Sequence, residues 1–235
     1  MSGQVGPAAA RDAAAAYVDT PTTRDPLVAA AYAQLVTESD QLFRHLTSPD
    51  RPGRVHIAFT TCPAPYANAD ELIGSVRHDR LLEVDTLATK HDRHHPLMGN
   101  EFGGASDRFR AVHDVLGHAR VGLGFDRDAE FAIWLWQERF HGPLARRALA
   151  TELHGQHSVL RTTGDLAQPK AILLRPELLC GTRRLGKRAD CSAASKRPPA
   201  GVPLPRPREP SALRPPPHRL AATRRHGKER SPWNT

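Results

Sequence analysis

The sequence predicts a mainly α fold of the α+β type, a compact helical metal-binding domain with a small β element, and three features predict it. Apolar residues recur at helical spacing in four long segments between Pro26 and His154. Only two short segments, Arg54–Phe59 and Leu81–Leu87, read as strands. Helix-boundary residues fall where the pattern needs them: Pro143 suits a first helical position and Gly155 a C-terminal cap. The predicted domain covers residues 25–181, after a flexible arm over 1–24 and before a disordered basic Pro/Arg-rich tail over 182–235.

In chain order, Pro26-Leu27 opens a helix through Leu46 whose apolar set includes Leu27, Ala31, Leu35, Leu42 and Leu46. The cluster Ser48 to Gly53 is a turn. Arg54–Phe59 places its larger apolar residues at alternate positions, as a strand does. Asn68–Val76 is a short helix with Asn68 or Asp70 at its cap. After the second strand, Lys90–Gly104 is a loop rich in His, Gly and Asn, with Lys90–His95 read as a solvated turn that could also cover a site. Helices then follow over Ser106–Gly117, Asp126–Phe140 and Pro143–His154, and Ala171–Leu179 is an apolar segment of either type.

Charge separates the tail from the domain. Residues 182–235 hold 14 Lys and Arg against Asp190, Glu209 and Glu229, which leaves 19 basic and 22 acidic residues in the rest. The basic stretch lacks periodic apolar residues and is rich in proline, a composition that cannot bury enough surface to offset chain entropy. Weak nonspecific nucleic-acid contact is the partner it suggests. Three widely spaced cysteines, Cys62, Cys180 and Cys191, argue against a disulfide framework. The N-terminal stretch lacks an apolar signal core, and no apolar run reaches the ~20 residues of a membrane span, so a cytoplasmic protein is expected.

The chemistry lies in the three later helices. Phe109, Val112 and Leu116 make one apolar stripe, and His113 falls beside it while Asp114 is rotated away. His118, five residues on, stands about 140° from His113 in an unbroken α-helix. Gly117 offers a way out, because a helix ending there lets His118 turn back. On the third helix Leu144, Ala145, Ala148 and Leu149 define an apolar arc, and Glu152 points into it. A carboxylate on an apolar face is costly unless paired or metal-bound. Two histidines and one carboxylate with open positions form the arrangement that non-haem Fe(II) uses to bind oxygen and substrate. Zn(II), which would run hydrolysis, or Mn(II) are the alternatives. The expected ligands are therefore His113, His118 and Glu152, with Asp114, His154 and Gln156 as candidates to orient them and take part in catalysis. Glu130 and Glu138 on the second helix are reserve carboxylates. A metal-free reading, with His113 bonded to Glu152 or Asp114 in the core, stays open.

The segment His113-Asp114-Val115-Leu116-Gly117-His118 resembles the H-[ED]-x-x-G-H iron motif of the aromatic amino acid hydroxylases. Glu152, in Thr151-Glu152-Leu153-His154-Gly155, is similar in placement to that family's downstream third ligand. The resemblance covers about residues 106–156. It implies Fe(II) held by His113, His118 and Glu152, dioxygen, and hydroxylation of a small molecule with an organic cosubstrate of unspecified type. The blocks Phe109-Arg110-Ala111-Val112-His113-Asp114 with Gly117-His118, and Thr151-Glu152 with Gly155-Gln156, also resemble a group of uncharacterised bacterial and phage-associated proteins.

Other readings compete. An HD-type metal-dependent phosphohydrolase would use His113-Asp114 as a ligand pair, with His91, His94 or His95 upstream and Asp126 or Asp128 downstream. A zincin protease fits less well, since its two histidines stand four apart. A non-enzymatic helical binding module would use Phe131, Trp134, Trp136 and Phe140 as a partner surface, unless these are core.

Overall fold

The computed structural model describes residues 7–22, 25–86, 95–99, 101–165, 167–175 and 177–178. All of them belong to one compact unit within Met1–Cys191. The expected basic tail, with Cys180 and Cys191, lies outside the described residues, as do His91 and His94.

The fold is mainly helical with one small two-stranded sheet, as expected. The first helix corrects the expected flexible arm: α1 spans Pro7–Asp19. Ala13 and Tyr17 are fully buried, and Tyr17 shares a core cluster with Val159, Ile172 and Leu174. Alanines at helical spacing give α1 a smooth face that packs closely, and the short apolar side chains hid that face in the sequence. α2 spans Pro26–Thr47, with Asp25 accepting from the Leu27 N–H at 2.8 Å and Pro26 in the first turn. Leu27, expected in the apolar set, is exposed.

β1 (His56–Thr60) and β2 (Leu81–Asp85) pair in parallel, with His56 opposite Leu81 and Thr60 opposite Asp85. The crossover between them is α3 (Ala69–Gly74), extended by a π-helical turn over Ser75–Asp79. Asn68 caps α3 by accepting from Glu71 N. Leu82 and Val84 of β2 are buried in the same core as Val112 and Val115. The sheet therefore backs the helix that carries the histidines.

α4 (Ala105–His113) continues as a π-helical stretch over Asp114–Gly122. α5 (Arg127–Gln137) starts at Asp126, whose carboxylate accepts from Asp128 N and Ala129 N, and ends in a 3-10 turn over Glu138–Phe140. α6 (Pro143–Ala150) widens into a π-helical turn, Thr151–Gly155, and runs on as α7 (Gln156–Thr163). Gly155 is thus not the expected cap. Its missing side chain makes room for α1, because a β-carbon there would lie 2.8 Å from Tyr17 Cδ2. The terminator is Gly164, at φ 89°. Residues 171–175 belong to neither a helix nor a strand, with Ile172 and Leu174 buried. Among the described residues no helix is long and apolar enough to cross a membrane.

Candidate metal centre

His113 ends the α-helical part of α4, and the π-helical stretch starts at the next residue. A π-helix closes its hydrogen bonds between residues five apart, so positions i and i+5 come to one face. That resolves the awkward spacing of His113 and His118 without the helix break expected at Gly117. Their rings meet edge to face, with centroids 4.9 Å apart. Gly117 serves another purpose: a β-carbon on it would fall 2.5 Å from Ile133 Cγ2, so its absence lets α5 lie directly on the π-helical stretch.

His113, Asp114 and His118 form a group that can hold a metal ion, with one ligand atom from each within 4.8 Å of the others. This corrects the expectation that Asp114 is rotated away. The widened turn begins at Asp114 and swings it toward the histidines. Burial raises the Asp114 carboxyl above its ordinary range despite the opposing charges of His113 and His118.

The carboxylate nearest both imidazoles is Glu130 on α5. Its Oε2 lies 3.2 Å from His113 Nε2 and its Oε1 3.3 Å from His118 Nε2. Oε2 is buried and its contact lacks hydrogen-bond alignment. Atoms bound to one ion at about 2.0–2.2 Å lie about 3.0–3.5 Å from each other, without pointing at each other. The donor set therefore fits a divalent ion.

The far sides of the rings support the same geometry. His118 Nδ1 is 3.0 Å from the Leu123 carbonyl, which can only accept, so Nδ1 carries a hydrogen and Nε2 is the ring atom turned to Glu130. His113 Nδ1 is 3.0 Å from Gln137 Oε1, and Gln137 is fully buried. Histidine ligands are commonly oriented by such acceptors. Burial disfavours a charged His113, but the Glu130 carboxylate outweighs it and raises the imidazole to about 9. Burial would raise Glu130 in turn, yet the His113 charge dominates and holds it well below the usual carboxylate range.

Glu152 was expected as the third ligand. It is buried, as its place on the α6 arc implies, but that arc faces α2. Its Oε1 accepts from the Tyr32 hydroxyl at 2.5 Å and lies 3.2 Å from His95 Nε2. Its Oε2 accepts from Gln156 Nε2 at 3.2 Å. Gln156 thus orients Glu152 and none of the histidine pair. His95 is buried, which corrects its reading as part of a solvated turn. His154 stacks flat on Trp134, with centroids 4.9 Å apart. Phe131 and Trp134 are core, and Trp136 and Phe140 are half-buried.

Three residues join the site that the sequence reading left out or held in reserve. Glu130 and Gln137 share one face with Ile133 and Trp134, at positions i, i+3, i+4 and i+7, and that stripe was a usable signal. His157 Nε2 stands 4.0 Å from Glu130 Oε1, and no local pattern pointed to it. Against known protein families, curated proteins and solved structures, the chain finds no match.

Proposed function

We propose that this chain is a mononuclear non-haem Fe(II) oxygenase that hydroxylates a small molecule, with His113, His118 and Glu130 as a two-histidine, one-carboxylate ligand set. The observation that carries the reading is the single Glu130 carboxylate reaching both Nε2 atoms, each imidazole fixed from behind by an acceptor. Fe(II) in such a set has open positions and supplies dioxygen activation when bound. The chain's own groups do the rest. Glu130 offsets the charge of the ion, Gln137 and the Leu123 carbonyl hold the imidazole planes, and Phe125, edge-on to His118 at 4.8 Å, shields that ring from water. The resemblance of the H-D-x-x-G-H segment to the aromatic amino acid hydroxylases agrees with this ion, with Glu130 in place of Glu152.

A second reading, the HD-type phosphohydrolase, draws on the closeness of Asp114 to both histidines. Its candidate ligands among the described residues are committed elsewhere: His95 to Glu152, Asp126 to the α5 cap and Asp128 to Arg161 at 3.0 Å, while His91 and His94 lie outside the described residues.

The test is elemental analysis of the full chain after anaerobic reconstitution, with Glu130→Gln, Asp114→Asn and Glu152→Gln, followed by oxygen-consumption screening. Stoichiometric iron lost only in Glu130→Gln supports the oxygenase. Metal lost in Asp114→Asn but kept in Glu130→Gln favours the phosphohydrolase. Absence of bound metal in the native chain would sink both.

A further inference from the structure

A narrow cavity of about 10 Å³, the space of a single water-sized group, lies among Phe131, His154, His157, Ser158, Arg127 and Arg161. A wider depression of about 500 Å³ opens beside it, shares both arginines and adds Phe125, Leu160 and the carboxylates Asp126 and Asp128. Two side chains of the walls, His154 and Arg127, keep hydrogen-bonding capacity that the fold leaves unused. His154 is 3% exposed, yet its Nε2 has no hydrogen-bond partner. Its Nδ1 lies 3.3 Å from Ser158 Oγ, and with that hydroxyl donating, Nε2 carries the hydrogen. Arg127 makes one long hydrogen bond, 3.4 Å to the Leu160 carbonyl, and no ion pair among the described residues. The neighbouring acids are occupied, Asp126 by the α5 backbone and Asp128 by Arg161.

We infer that the cavity and depression bind a small molecule through an oxyanion, a carboxylate or phosphate group. Arg127 supplies the charge, the His154 Nε2–H donates a hydrogen bond to the oxyanion, and the apolar remainder lies against Phe125 and Leu160. With both acids already paired, a guanidinium free of any ion pair beside a buried N–H donor suits an anion. Two contacts connect these walls with the histidine pair: His157, which lines the cavity, stands 4.0 Å from Glu130 Oε1, and Phe125, which lines the depression, packs on His118. That the bound anion is the substrate rests on the oxygenase reading; the binding itself does not.

The experiment is calorimetric titration of the full chain with benzoate and with inorganic phosphate, in chelator-treated and iron-loaded samples, alongside Arg127→Gln and His154→Phe. The phenyl ring keeps the stack on Trp134 and removes both nitrogens. Saturable one-to-one binding of either anion, weakened about tenfold or more in each variant, supports the inference. Preference for benzoate identifies a carboxylate ligand, and preference for phosphate a phosphate ligand. Anion binding without metal uptake upholds the pocket and removes the oxygenase reading. Metal uptake without saturable anion binding overturns the pocket alone, as do variants that bind like the native chain. Arg127 is exposed, so its variant tests the inference even where His154→Phe unfolds.

Discussion

Gly117 and Ile133 pack so closely that a β-carbon on the glycine would stand 2.5 Å from Ile133 Cγ2. The contact sets the spacing between α5, which carries Glu130, and the π-helical stretch that carries His118. Gly117→Ala should destabilise the fold by about 1–3 kcal/mol, the usual range for overpacking. It should also weaken metal binding, because any relief moves Glu130 away from the imidazoles. Urea unfolding and metal titration check both effects. Stability lost with affinity unchanged would show that the contact is packing alone.

Glu130 and Glu152 are both buried carboxylates, and substitution separates them. Glu130→Gln leaves the histidine pair without its negative partner, and metal affinity should fall by at least about 100-fold. Glu152→Gln loses a charge-assisted bond from the Tyr32 hydroxyl and should cost about 1–3 kcal/mol of stability. Metal content should stay native in that variant. The reverse pattern in elemental analysis would restore Glu152 as the ligand.

How much of this was legible in the chain depended on the period of the backbone. Inward His113, the boundaries of α2 and the parallel strand segments follow from apolar spacing of 3.6 or 2. The meeting of His113 with His118 and Asp114 does not, because nothing in the local composition announces a π-helical stretch. Glu152 was correctly read as buried, but a single helix face cannot say which neighbour it meets, and α2 lies there with Tyr32. Glu130 and Gln137 were legible in principle as polar members of a stripe with Ile133 and Trp134. α1 was missed because alanine faces carry little hydrophobic contrast.

Proton and metal compete for His113. In the metal-free protein its imidazole is raised from 6.5 to about 9, so at neutral pH it is charged against Glu130. That charge stabilises the fold fully below pH 6.5, and the contribution is lost as pH rises through 9. Metal binding must expel the proton, so apparent affinity should rise about tenfold per pH unit between pH 7 and 9 and then level off. Competitive Zn(II) titration across that interval measures the slope. A flat profile would mean that His113 Nε2 is not the atom that binds.

His154 titrates with the opposite sign. Burial, aided by the charge of His157, lowers its imidazole from 6.5 to about 4, so it is neutral while stacked on Trp134. The unfolded chain takes up a proton near pH 6.5 and the folded chain refuses it until about 4. Stability is therefore complete above 6.5 and is lost as pH falls toward 4, by up to about 3 kcal/mol. Other groups also titrate in this range, so the informative quantity is the difference in slope between the native chain and His154→Phe. Unfolding free energies from urea melts at pH 7.5, 6 and 5 should converge between the two proteins as the pH falls. Parallel curves would mean that His154 is solvated and protonates freely, which would also remove the neutral donor from the anion pocket.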